Sequence, residues 1–112
     1  MVLEVAILNV IPGQEDAFLK AFYQAQSIIS GMAGYLSHQL KRCTEDSSKF
    51  ILLMQWEKLT DHTEGFRRSI GYQEWKKLLH HFYSPFPTVE HYEDIEGLSG
   101  KSQTSYLTSH IN

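Results

Sequence analysis

VLEVAILNV, at residues 2–10, is apolar on both sides when the chain is extended. Successive side chains of a strand point to opposite faces, and this segment places three apolar residues on each: Leu3, Val5 and Ile7 against Val2, Ala6 and Leu8. The segment FILLMQW at residues 50–56 has the same character. A strand covered on both faces belongs in the middle of a sheet that lies between two layers. The sequence therefore predicts two central strands.

The residues that follow the first strand have the periodicity of a helix. A Pro-Gly pair at residues 12–13 ends the strand, and between residues 14 and about 32 apolar side chains recur every three or four positions. Glu15 and Asp16 fall in the first turn, where acidic side chains interact favourably with the helix dipole. This segment predicts an amphipathic helix.

A hairpin is predicted next. Gly34 is followed by a strand at residues 35–43, and a polar cluster at residues 44–48 joins it to the strand at residues 50–56. Beyond Trp56, Asp61 and Glu64 have the spacing of a capping box, which predicts a short helix to about residue 69.

A second helix and a last strand complete the order. Gly71 interrupts the short helix, and helical spacing then resumes until the Pro-rich segment SPFP at residues 84–87. Residues 88–95 alternate enough to form a strand. The order is β-α-β-β-α-β, so we predict an α+β, ferredoxin-like fold: a four-stranded antiparallel sheet with both helices on one face.

The other face of such a sheet would be bare and apolar. A second copy related by a two-fold axis would cover it, so we expect a homodimer. We expect one domain at residues 1–95. Residues 96–112 lose the periodicity and gain Ser, Thr and Gly, which predicts a C-terminal tail that is either mobile or draped over the partner subunit.

The composition narrows the function classes. The chain has 112 residues and a formal net charge of −3, which disfavours nucleic acid as a partner because phosphate binding needs a concentrated basic face. No apolar run approaches the roughly 20 residues that cross a bilayer, so no membrane association is expected. Cys43 is the only cysteine and no leader of signal-peptide type opens the chain, which favours the cytoplasm.

The chain resembles the antibiotic biosynthesis monooxygenase family over about residues 2–95. The resemblance lies in Pro12-Gly13 with the acidic helix start, Gly34-Tyr35, Gln55-Trp56, and the helix with Tyr72 and Trp75. It implies a dimeric α+β barrel, in which two sheets form the barrel and each subunit has a pocket between sheet and helices. Some members use neither metal nor flavin and oxidise an electron-rich aromatic substrate with molecular oxygen. Others degrade haem, and many have no assigned reaction.

The resemblance also permits a test of the haem-degrading branch, which carries an Asn on the first strand, a Trp on the short helix and a haem-ligating His on the next helix. In this chain Ala6, Gly65-Phe66 and Trp75 fall at those places, so the triad is missing. His80 or His81 could still ligate iron one turn further on. Haem degradation therefore stays open as a second alternative.

His62 and Tyr72 are the candidate catalytic residues. Oxidation without a cofactor requires a base to deprotonate a phenol-like substrate, and a histidine near the start of a helix beside the strand of Trp56 suits that role. Tyr72 could donate a hydrogen bond to a quinone oxygen. A solvent-exposed His62 and a Tyr72 that is part of the core are the alternatives.

The candidate ligand-binding residues are Asn9, Trp56, Phe66, Trp75 and His80. The aromatic members are equally well explained as core, and Asn9 at the end of a strand often serves the following turn. His80, His81 and His91 do not form a convincing metal site, because adjacent helical residues point about 100 degrees apart. We expect no metal and no cofactor.

The leading hypothesis is therefore a small cofactor-independent monooxygenase that acts on a quinol or another electron-rich aromatic. The alternative is a non-catalytic module of the same fold that binds a small aromatic or apolar ligand or mediates assembly.

Overall fold

A computed structural model describes residues 1–100 of the chain. It contains two interleaved βαβ units, and its regular elements are β1 (Val2–Asn9), α1 (Glu15–Ser30), β2 (Tyr35–Arg42), β3 (Lys49–Trp56), a π-helix (Asp61–Phe66), α2 (Ile70–Leu79), a 3₁₀ turn (His80–Phe82) and β4 (Val89–Tyr92). The strand order is β2-β3-β1-β4, with every neighbouring pair antiparallel. The predicted ferredoxin-like α+β fold with two central strands is confirmed.

The hydrophobic core lies between one face of the sheet and α1 and α2. β1 and β3 pair in register from Val2 opposite Trp56 to Asn9 opposite Lys49, which aligns their inward-facing side chains. α1 packs on that face with the side chains that its helical spacing places together: Phe18, Phe22, Ala25 and Ile29. Burial of these apolar surfaces supplies the main driving force for the fold.

The connection after β3 differs from its prediction. The chain forms a wide π-helical turn at Asp61–Phe66 that follows Thr60 without a side-chain cap, so the predicted capping box is wrong. The Asp61 carboxylate instead accepts a hydrogen bond from the backbone N–H of Lys58 at 2.9 Å. A π-helical turn adds a residue relative to an α-helical one and is frequent at functional sites.

α2 begins earlier than Gly71. The Ser69 hydroxyl accepts a hydrogen bond from the backbone N–H of Tyr72 at 3.1 Å, and Gly71 lies inside the first turn of the helix. A Cβ on Gly71 would lie 3.1 Å from a methyl carbon of Ile28, so the glycine allows α1 and α2 to approach closely.

The outward face of the sheet is half exposed and apolar in its centre, where Val5 pairs with Leu53 and Ile7 with Ile51. The homodimer predicted from this face stays a prediction, as does the boundary between a domain at residues 1–95 and a tail at residues 96–112. Of that tail, residues 101–112 lie outside the described part. No helix within residues 1–100 is long and apolar enough to cross a membrane.

Candidate active site

A cavity of about 360 Å³ lies between the inward face of the sheet and the elements from the π-helix to the start of β4. Its volume falls at the lower end of the range that small-molecule sites occupy. Most of its wall is apolar or aromatic: Ala6, Leu8, Leu52, Met54, Phe66, Tyr72, Trp75, Leu79, Tyr83, Phe86, Pro87 and Val89. Four lining side chains carry charge or can gain it: Glu4, His62, Arg67 and His80.

Five of the seven residues singled out from the sequence line this cavity: His62, Phe66, Tyr72, Trp75 and His80. Trp56 is fully buried behind the wall, where its ring stacks on that of His62 with centroids 5.6 Å apart. Asn9 is exposed at the end of β1 and does not line the cavity. Its backbone carbonyl accepts a hydrogen bond from the Ser84 N–H at 3.0 Å, so its main chain ties β1 to the segment that follows the 3₁₀ turn.

Glu4 is a functional candidate that the sequence reading missed. It lies on the inward face of β1 together with Ala6 and Leu8, and only 5% of its surface is exposed. Trp56 Nε1 donates a hydrogen bond to its Oε1 at 2.9 Å. A carboxylate is costly to bury without partners. A glutamate in the middle of an otherwise apolar strand face was therefore the feature of the sequence that could have indicated a functional role.

His62 connects Glu4 to the edge of the sheet. Its Nε2 lies 3.3 Å from Glu4 Oε1, and its Nδ1 lies 2.8 Å from Nε2 of His91. His91 is opposite Glu4 in the pairing of β4 with β1, which explains why both face the same imidazole. The four side chains Trp56, Glu4, His62 and His91 form one hydrogen-bonded network, which we call the Glu4 network.

Burial shifts the protonation of this network toward its neutral forms. Loss of solvation raises the pKa of Glu4, and the Trp56 hydrogen bond and the positive charge of Arg67 oppose that rise in part. Burial lowers the pKa of His62 to about 3, helped by Arg67 and His91. His62 is therefore a neutral imidazole near pH 7, and its contact with Glu4 is a hydrogen bond rather than an ion pair. Burial and the charge of Arg67 also lower the pKa of His91.

Phe66 organises the aromatic wall. Its ring meets the rings of Tyr72 and Trp75 edge-on, with centroids 5.2 Å and 5.8 Å apart. It also stacks on His62 at 6.2 Å. Such edge-to-face contacts stabilise aromatic pairs beyond the area that they bury. The wall is therefore held by mutual packing, and within residues 1–100 no group hydrogen-bonds to the hydroxyl of Tyr72, which leaves that hydroxyl available to a ligand.

The far end of the cavity is formed by His80 and its neighbours. The His80 ring contacts those of Tyr83 and Phe86 with centroids 5.7 Å and 5.0 Å apart. Burial and the charge of Lys76 lower the pKa of His80. Phe86 is 63% exposed and forms the rim. This end therefore combines a half-buried imidazole with an aromatic edge that faces solvent.

The positions that would hold haem carry no ligating atoms. Ala6, Phe66 and Trp75, which replace the Asn, Trp and His of the haem-degrading branch, all line the cavity. His62 has both ring nitrogens engaged in the Glu4 network, so His80 is the remaining imidazole on the wall. In residues 1–100 no three side chains of His, Cys, Asp or Glu come together as a metal site. The donor set does not fit haem well.

Together, the sheet, the helices and the enclosed aromatic cavity define a small α+β domain with a ligand site between sheet and helices. The family model for antibiotic biosynthesis monooxygenases matches residues 1–78, and the chain belongs to that family. The resemblance inferred from the sequence is thus confirmed.

Three similar proteins illustrate the relationship. YczJ of Bacillus subtilis (strain 168), an uncharacterized protein, is 58% identical over 95 residues, which is 85% of this chain and 100% of YczJ. The crystal structure of a family protein from Bordetella bronchiseptica has a TM-score of 0.81 and 30% identity, and covers 84% of this chain and 96% of the other. SnoaB of Streptomyces nogalater, a cofactor-independent oxygenase, shares the fold with a TM-score of 0.75 at 14% identity, covering 88% of this chain and 97% of SnoaB.

Proposed function

We propose that this protein is a cofactor-independent monooxygenase that oxidises a quinol or a similar electron-rich aromatic compound. The observation that carries the proposal is the aromatic cavity, whose wall contains a buried carboxylate–imidazole pair, Glu4 and His62, together with the Tyr72 hydroxyl. Membership of the antibiotic biosynthesis monooxygenase family supports the reaction class.

The proposed reaction balances with oxygen as the only co-substrate. A quinol and one O₂ give a hydroxylated quinone and one water: one oxygen atom enters the ring and the other leaves as water. The substrate supplies all four electrons that reduce O₂. Deprotonation of a substrate hydroxyl makes the ring electron-rich enough to pass an electron to O₂, so the protein must provide a proton acceptor and a site for the resulting anion.

The cavity provides both. His62 and Glu4 form the acid–base pair, and the Tyr72 hydroxyl can donate a hydrogen bond to the substrate oxygen as negative charge develops on it. The rings of Phe66 and Trp75 give a flat apolar surface on which an aromatic substrate can stack. His80 also lines the cavity, with its ring 5.9 Å from that of Tyr72 between centroids, and would contact a second polar substituent of the substrate.

Oxygen uptake tests the proposal directly. The purified protein is incubated with a panel of benzo- and naphthohydroquinones after dialysis against a chelator, and O₂ consumption is compared with the autoxidation rate. We expect consumption that falls about tenfold or more in His62→Ala, because the variant disrupts the acid–base pair of Glu4 and His62. His81→Ala is the matched control, because His81 packs beside Phe82 and does not line the cavity. Tight binding of the panel without O₂ consumption would favour a non-catalytic ligand-binding module.

A further inference from the structure

The two oxygen atoms of the Glu4 carboxylate have different surroundings. Oε1 accepts the hydrogen bond of Trp56 and faces His62 Nε2. Oε2 has no hydrogen-bond partner within residues 1–100. In that part of the chain, every fully buried side-chain oxygen or nitrogen has a hydrogen-bond partner. Because Oε2 has no partner, it is not fully buried. Since Glu4 lines the cavity, Oε2 is the oxygen that a ligand can reach.

His62, by contrast, has no lone pair left for a substrate while Glu4 is ionised. Its Nε2–H then donates to Glu4 Oε1, and its Nδ1 accepts from Nε2–H of His91. This is the arrangement in which every contact of the Glu4 network has one donor and one acceptor. A proton from the cavity can reach His62 only after one of these hydrogen bonds breaks.

We infer that Glu4 takes the substrate proton at Oε2 and that His62 and His91 position its carboxylate. This inference rests on the proposed function and assigns the acid–base step to one member of the pair. His62 is then a positioning residue. In a serine hydrolase a buried acid orients the histidine that transfers the proton, whereas here a histidine orients the acid that transfers it.

The proton is conserved over the reaction. The substrate O–H bond breaks, its electron pair stays on the substrate as a phenolate, and a new O–H bond forms at Oε2. Oxygen adds to a ring carbon as a peroxide, and the Glu4 carboxylic acid returns the proton to its outer oxygen. The O–O bond then breaks as that ring carbon loses its C–H proton, and the outer oxygen leaves as water with the ring proton as its second hydrogen. Glu4 starts and ends as a carboxylate, so no proton has to pass through the apolar wall to solvent.

The surroundings of Glu4 suit this role. Burial raises its pKa, and an acid–base group works best when its pKa approaches the pH of operation. The polar groups next to Glu4 are Trp56 of β3, His62 of the π-helix and His91 of β4, and the charge of Arg67 also acts on it. The other polar side chains of the cavity wall are Tyr72, His80 and Tyr83. Arg67 is the only permanently charged one among them, and its positive charge favours both the carboxylate and the phenolate.

A binding experiment tests the inference without requiring turnover. 2-Naphthol and 2-methoxynaphthalene differ in the hydroxyl proton that Oε2 would accept. We expect the wild-type protein to bind 2-naphthol about tenfold or more tightly than the ether at pH 8, since a hydrogen bond to a charged group is worth at least that factor. The preference should decrease as the pH is lowered through the pKa of Glu4, and should fall to about threefold or less in Glu4→Gln.

Steady-state oxidation kinetics provide a second test of the role of Glu4. We expect Glu4→Gln to lower kcat by about 10²–10⁴ with little change in KM, and to remove the rising limb of the pH profile. The side-chain amide that His62→Gln introduces can still donate a hydrogen bond to Glu4 Oε1. This variant should therefore lose less activity than Glu4→Gln, and the rising limb of its pH profile should shift. Glu57→Gln is the control, because Glu57 is exposed and lies outside the cavity.

The outcomes separate the two proposals. Equal binding of both naphthalenes by the wild-type protein overturns the role of Glu4, whatever oxygen uptake shows. Oxidation by Glu4→Gln at the wild-type kcat also overturns it and leaves the proposed function intact. A strong preference for 2-naphthol without oxygen uptake by the wild-type protein retains Oε2 as the acceptor and overturns the proposed oxidation.

Discussion

Gly34 and Asp61 approach so closely that no side chain fits between them. A Cβ on Gly34 would lie 2.1 Å from Cγ and 2.7 Å from Cβ of Asp61. The Cβ of Asp61 cannot rotate away, so the backbone itself would have to move. Gly34 also has a φ of +82°, which side chains rarely adopt. This contact fixes the start of β2 against the π-helix that carries His62.

We predict that Gly34→Ala destabilises the protein more than Gly13→Ala. Both glycines have positive φ, but a Cβ on Gly13 meets nothing within 4 Å. The strain common to both substitutions is about 1–2 kcal/mol, and Gly34→Ala adds the steric overlap with Asp61. Urea unfolding of the two variants measures the difference. Equal losses of stability would contradict the close approach.

The hydrogen bond from Trp56 to Glu4 should appear in the protonation of Glu4. The Trp56 donor lowers the Glu4 pKa, so Trp56→Phe should raise it further. ¹³C NMR of the Glu4 carboxyl carbon over a pH range gives that pKa. Trp75→Phe is the matched control, because it removes an indole from the same core, and the indole that hydrogen-bonds to Glu4 is that of Trp56. A larger shift in Trp75→Phe than in Trp56→Phe would refute the assignment.

Acid should destabilise the protein through His62. The unfolded state binds a proton to this histidine near pH 6.5, whereas the folded state does so only near pH 3. The free energy of unfolding therefore falls as the pH drops from 6.5 towards 3, by an amount on the order of a few kcal/mol. Glu4 acts in the opposite direction, because its raised pKa favours the folded state below that pKa.

Urea unfolding at several pH values checks this prediction. His62→Gln should be less stable at pH 7 but should lose less stability between pH 6.5 and pH 4 than the wild-type protein. An unchanged slope of stability against pH in His62→Gln would show that His62 does not contribute.

The outward face of the sheet should mediate a homodimer. Val5 and Leu53 are paired at its centre and are half exposed in the single chain. Leu53→Asp would bury a charge in the interface, so we expect it to dissociate the dimer at micromolar concentration. Tyr23→Asp is a control on the exposed side of α1. Sedimentation velocity distinguishes the monomer from the dimer. A monomeric wild-type protein at this concentration would contradict the predicted homodimer.

Haemin should not form a defined complex. The position that ligates iron in the haem-degrading branch is Trp75 here, and His80 packs against Tyr83 and Phe86. We expect no shift of the Soret band on titration of haemin into the protein. A shift that disappears in the double variant His80→Ala, His81→Ala would instead support the haem-degrading alternative.

The cavity wall was largely predictable because aromatic residues at helical spacing face the core. Phe66, Tyr72 and Trp75 follow from that rule, although the rule alone does not separate a lining residue from a packed one. Asn9 shows where prediction from local sequence fails. A polar residue at the end of a strand can face a binding site or serve the following turn, and the local sequence is the same in both cases. The capping residues predicted a cap at Asp61, whereas in the structure Asp61 lies against Gly34, a residue far away in sequence, and local spacing does not predict such a contact.

The ferredoxin-like fold follows from the sequence alone, because the periods of strands and helices are local signals that a short segment carries. The meeting of the candidate acid–base residues, by contrast, is a product of the tertiary structure. Glu4, His62 and His91 meet because strand pairing sets Glu4 opposite His91 and the π-helix lays His62 between them. Their pKa values depend on how much water the surrounding core excludes, and that exclusion exists only once the sheet and helices have closed around them.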